Sequence, residues 1–160
     1  MEKTSVKTLK IACYVLIICI PLWVVFYGVQ SYYVLTTGGG QGVINWGSPR
    51  IGLKVALFVL HRVTLLTMAG LFAAFAISIL KHLKGGSIFC RANVVQLWCM
   101  VAVLPIYSFI SDNMGIVGSP NEHFDVVLTD NPLLYTIVAL IIALLYKLAY
   151  DAAEEQKLTI

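Results

Sequence analysis

Four long runs of apolar residues, separated by short polar stretches, set the pattern of this chain. Ile11–Val29, Val63–Leu80 and Val94–Ser111 hold no charged residue, and Pro132–Tyr146 is a shorter run of the same kind. About 20 apolar residues cross a hydrocarbon core of about 30 Å as a helix. Lipid offers the backbone no hydrogen-bond partner, so each spanning segment must satisfy its own peptide groups, as a helix does. Lys147 can send its ammonium to the headgroups on its aliphatic stem, which extends the fourth span to about Tyr150. A transmembrane barrel would show short alternating segments instead. The pattern predicts an all-α fold, an integral membrane four-helix bundle forming one domain over 1–160. Its spans fall at about 11–30, 55–82, 93–111 and 132–150.

Polar punctuation refines these elements. Ser48-Pro49 and Asn131-Pro132 each read as a helix cap followed by proline at the first helical position, and Gly85-Gly86 closes the second helix. A helix from Pro49 to Leu83 would be about 50 Å long. It is therefore expected to extend beyond the bilayer on the outer side, with Arg50, Lys54 and His61 as one polar stripe. Pro21 and Pro105 lie inside spans and predict kinks. Gly70, Ala74 and Ser78 recur at spacing four, a pattern that lets helix backbones approach closely; Ala139 and Ala143 offer a shorter version. Such seams serve packing within the chain or against a second copy, so a homo-oligomer is one expected partner state.

Composition agrees with this picture. The chain is 59% hydrophobic and 12% charged, against about 25% charged in soluble domains, too little to clothe a water-facing surface. Lys3, Lys7, Lys10, Lys81, Lys84, Arg91, Lys147 and Lys157 fall on one side of the spans. Only Arg50, Lys54 and Arg62 fall on the other, together with Glu122, Asp125 and Asp130. The positive-inside rule then puts both termini in the cytoplasm and the protein in the inner, cytoplasmic membrane of a cell. The net charge of +3 thus speaks to orientation and the lipid bilayer rather than to direct nucleic-acid binding. The first apolar run is long and lacks a small-residue cleavage pattern, so it reads as a span rather than a removable leader.

Candidate chemistry is sparse. No acid occurs between Glu2 and Asp112, so the spans lack the buried carboxylate that proton-coupled carriers usually need. His61-Arg62 is the costliest pair to place in lipid. Asp112 ends the third span at a similar depth, so an Arg62–Asp112 ion pair is expected at the outer rim, in competition with lipid phosphate. Cys13, Cys19, Cys90 and Cys99 contain no C-x-x-C and none faces an oxidising side, which argues against a thiol oxidoreductase. Cys90, beside Arg91 at a helix start, reads either as a thiolate-favouring position or as a small cap. Glu122-His123-x-Asp125 is a weak metal pattern without a second histidine cluster. Gly38-Gly39-Gly40 lacks the Lys-Ser/Thr of a phosphate loop. With no nucleophile–base arrangement, the expectation is a non-enzymatic protein with no catalytic, cofactor or metal site and no cofactor.

Two cytoplasmic segments carry a resemblance. Gly86-Ser87-Ile88-Phe89-Cys90-Arg91-Ala92-Asn93-Val94 precedes and opens the third helix, and Glu154-Glu155-Gln156-Lys157-Leu158-Thr159-Ile160 closes the chain. This resembles the bacterial four-helix integral membrane family catalogued as domain of unknown function 2975, which has a Gly/Pro-Phe-Ser-x-x-Asn stretch and a Glu-Glu-x-x-Leu-Thr-Ile/Val ending at these places. Cys90 stands where that family usually has serine, and Lys157 where an acid is common. The resemblance implies no established activity, but it does imply a cytoplasmic helix-turn-helix regulator as partner. Read physically, Phe89 is a hydrophobic staple before the cap, and Asn93 is placed to reach back to it.

The expected function is sensing or regulation through cytoplasmic-face contacts with a partner protein. Phe89, Cys90 and Asn93, with Glu154 and Glu155 of the tail after Tyr150, form the candidate contact face. One alternative is an oligomeric transport or permeation protein, with Thr64, Thr67, Ser78, Gln96, Ser108 and Thr136 as its scattered polar groups. The other is a membrane immunity-type protein.

Overall fold

The computed structural model describes residues 2–37, 43–83, 88–120 and 126–158. These form α1 (Glu2–Thr37), α2 (Ile51–Leu83), α3 (Arg91–Asp112), the single turn α4 (Gly115–Gly118) and α5 (Asn131–Leu158), with no strand among the described residues. The four long helices are each long and apolar enough to cross a membrane, as in a multi-pass membrane protein. Gly38-Gly39-Gly40, Gly85-Gly86 and the Glu122-His123-x-Asp125 pattern lie outside the described residues.

Extension past the span is not confined to α2. At 36 residues, α1 is longer than the 33 of α2. It continues to Thr37 because nothing breaks it and its polar residues serve the helix. The hydroxyls of Ser31, Thr36 and Thr37 donate to the carbonyls of Tyr27, Tyr32 and Tyr33, each at 2.7 Å. Both α1 and α3 remain helical across Pro21 and Pro105. The α2 start is shifted from Pro49 to Ile51. There the Ser48 hydroxyl accepts from the Arg50 N–H at 3.3 Å, and its carbonyl accepts from Ile51. At α5 the carbonyl of Asp130 accepts the Leu134 N–H at 3.0 Å, so the cap falls one residue before the expected Asn131.

The four long helices pack in chain order, and side chains of all four line one cavity between them. Packing joins α1 to α2, α2 to α3 and α3 to α5, with no substantial contact between α1 and α5. Neighbours run antiparallel: Leu9, Cys13 and Ile17 of α1 meet Ala76 and Ile79 of α2, while Val34 meets Phe58. Each edge helix shelters one narrow line of side chains. In α1 the line passes through Cys13, Ile17, Ile20, Tyr27 and Val34, and in α5 through Thr136, Ala139, Ala143 and Tyr146. These are the three- and four-residue steps of one helix face. Ala143 is fully buried, so the Ala139/Ala143 seam holds α5 close to α3.

The Gly70, Ala74, Ser78 line is not the main seam of α2. Gly70 is exposed and a Cβ built on it meets nothing within 4 Å. The buried side chains are instead Leu65, Met68, Ala69, Ala76 and Ile79. Ser78 is half-buried and turned toward the α2–α3 junction, near Cys90 and His82. Spacing four identified small residues correctly but could not say which face of the helix has a neighbour. Gly70→Ala is therefore expected to stabilise the protein by about 0.5–1 kcal/mol through helix propensity alone. A thermal melt in detergent that shows a lower midpoint would mean that this face is packed.

Candidate functional site

Polar side chains gather at the two ends of the structure, and each end is tied together by buried hydrogen bonds. The far end holds the α1 C-terminus, the α2 N-terminus and α4. A small apolar core of Val34, Ile44, Phe58 and Val117 forms there. Asn45 ties the segment before α2 to α4, its N–H donating to the Val117 carbonyl and its side-chain amide to that of Ser119, both at 3.0 Å. Lys54 is buried, and its ammonium donates to the same Ser119 carbonyl. The expected solvated stripe of Arg50, Lys54 and His61 is thus covered at Lys54 by the chain around α4. It is covered also at His61, whose ring stacks on Tyr107 with centroids 5.5 Å apart.

Asn113 completes this cap. Its amide donates to the carbonyls of Phe109 (2.8 Å) and Val127 (3.0 Å), and its Oδ1 accepts the Val127 N–H at 2.8 Å. One side chain satisfies both the end of α3 and the extended segment that leads to α5. Asparagine directly after a helix end was the available sequence signal, since its amide readily bonds nearby backbone.

The expected Arg62–Asp112 pair is not formed. The Arg62 guanidinium lies between the rings of Tyr27 (4.9 Å) and Phe58 (4.8 Å), and Nη2 donates to Gln30 Oε1 at 3.5 Å. Asp112 instead accepts the Thr129 hydroxyl. Phe58 lies four residues before Arg62 on the same helix face and α1 is the adjacent helix, so aromatic faces reach the guanidinium first. The carboxylate at the end of α3 is taken up by the segment before α5.

At the opposite end, α3 begins at Arg91 with Cys90 in extended conformation as its cap residue, and the Cys90 side chain makes no cap bond. The thiol lies 3.7 Å from both His82 Nδ1 and Ser78 Oγ of α2. Asn93 does not reach back to the cap as expected. It is fully buried, its amide donating to the Ile88 carbonyl at 3.0 Å and to the Tyr146 hydroxyl at 2.8 Å. The Tyr146 hydroxyl donates to Ile88 as well. Phe75 and Phe89 flank the Tyr146 ring at 5.9 and 5.3 Å. Asn93 is therefore an internal pin joining α3 to α5 rather than a surface contact, and Phe89 is half-buried on the same ring. Tyr146, the last residue of the fourth apolar run, is the residue that this pin grips.

Beyond Tyr146 the helix does not stop. α5 continues unbroken to Leu158, carrying a Lys147–Asp151 ion pair at 2.7 Å and then Glu154 and Glu155. No family model, curated protein or solved structure matches the chain. Among the described residues no group of three or more His, Cys, Asp or Glu is placed to hold a metal ion. Among the described residues the Cys90–His82–Ser78 cluster is the nearest approach to reactive chemistry.

Proposed function

We propose that this is a non-enzymatic protein of the inner, cytoplasmic membrane that senses a membrane condition and relays it to a cytoplasmic partner protein. The observation that carries the reading is α5 itself. It is one uninterrupted helix of 28 residues, packed chiefly on α3 with Phe75 of α2 against its Tyr146, and its last turns carry charged side chains. A rigid helix held chiefly by one neighbour can carry a change of tilt to its end. The positive-inside distribution of Lys and Arg supports a cytoplasmic place for that end. The resemblance of the 86–94 and 154–160 segments supports a helix-turn-helix regulator as the partner. The almost wholly apolar lining of the cavity between the long helices supports this reading over an aqueous permeation pathway.

Deleting the chain after Tyr150 tests the proposal. A partner that co-purifies with the full chain from native membranes is expected to be lost on truncation and on joint Glu154→Lys and Glu155→Lys substitution, in variants whose thermal melts show them folded. Undiminished recovery with both variants would remove the tail from the mechanism.

A further inference from the structure

Two cavities in the structure share Leu104, Tyr107, Ala139 and Ile142 and so form one elongated cleft. The inner arm, about 650 Å³, is walled by apolar side chains of all four long helices, among them Leu16, Trp23, Met68 and Phe72. The outer arm, about 790 Å³, runs between α3 and α5 and ends at Ser108, Ser111, Asp112 and Asn131, beside Tyr107 and Tyr135. Polarity therefore changes along the cleft, from wholly apolar to a mouth with one carboxylate, two hydroxyls and two phenol rings. Among the described residues, no Lys, Arg or His lines either arm.

Such a mouth selects charge. A carboxylate next to aromatic rings attracts an ammonium both as an ion partner and through the ring faces. Two features hold these groups in place: Asp112 is bonded by Thr129, and Tyr107 is stacked on His61. An anionic head would meet Asp112 with no cation in the lining to compensate. The same holds for the phosphate of a zwitterionic phospholipid. We propose that the cleft binds a single-chain amphiphile with a cationic amino or quaternary ammonium head, its alkyl chain in the inner arm and its head at Asp112. Each arm is of the size that ordinary small-molecule sites occupy. The site stands independently of whether the α5 tail engages a partner.

Trp23 lines the inner arm and gives the experiment its reporter. The full chain in nanodiscs of phosphatidylcholine is titrated with 12-bromododecyltrimethylammonium, whose terminal bromine quenches a tryptophan that it touches. Saturable quenching is expected, lost in Trp23→Phe and shifted to about tenfold higher concentration in Asp112→Asn, as for loss of one charge-assisted contact. The equal-length sulfate and alcohol should quench without saturation. Where Asp112→Asn fails to fold, Ser111→Lys places a cation in the mouth and should weaken the ammonium probe while favouring the sulfate. Equal quenching by cationic, neutral and anionic chains would overturn the proposal. So would affinity unchanged by the folded mouth variants.

Discussion

Phe58→Ala is expected to lower the unfolding free energy by about 3–5 kcal/mol, the range for truncating a fully buried aromatic. Its ring has no exposed surface and packs with Val34, Ile44 and Val117, so one side chain joins α1, the segment before α2, and α4. It also forms one wall of the Arg62 site, at 4.8 Å. Truncation leaves a void that backbone hydrogen bonds at Asn45 and Asn113 prevent from collapsing fully. The remaining Tyr27 ring and Gln30 then hold the guanidinium alone. Thermal unfolding in detergent, followed by tryptophan fluorescence, reads the effect. Ile77→Ala on the same helix is the comparison, because Ile77 is 53% exposed and should cost well under about 1 kcal/mol. Equal shifts for the two variants would show that the far-end cluster is not a packed core.

Asn93→Asp is expected to cost about 3 kcal/mol or more while leaving side-chain shape nearly unchanged. The buried amide nitrogen gives both of its hydrogen bonds to oxygen, one to the Ile88 carbonyl and one to the Tyr146 hydroxyl. Replacing that donor by a carboxylate oxygen sets acceptor against acceptor and buries a charge facing the Ile88 carbonyl. Tyr146→Phe removes a single hydroxyl and should cost about 1 kcal/mol. A double-mutant cycle between the two sites should show clear coupling, since they share one hydrogen bond and one carbonyl. Additive effects would mean that the bonds joining Asn93, Ile88 and Tyr146 do not act as one unit.

The helices were legible in the sequence because the requirement for apolar length is unconditional in lipid. Their arrangement was not, because lipid and protein interior are equally apolar. The half-buried Ile17 is the same residue as the exposed Ile11 and Ile18. Gly70 and Ala69 are adjacent in sequence, yet one faces open space and the other a neighbouring helix. Ionisable residues misled in the opposite sense. Lys54 read as part of a polar stripe on the outer extension of the second helix, but it is buried and the Ser119 carbonyl receives its ammonium. Arg62 and Asp112 were expected to pair with each other, but Arg62 sits against the Tyr27 and Phe58 rings and Asp112 accepts from Thr129. Asn93 was recognised as a helix-start residue, and its real partner is 53 positions along the chain, beyond the reach of any local pattern.

Three of the helix pairs are fastened, and one is not. Asn113 and the Phe58 cluster tie one end of the structure, and Asn93 with Tyr146 ties the other. Between α1 and α5, which both line the cavity, there is no substantial direct contact. Any change in the breadth of the middle would be taken up at that joint first.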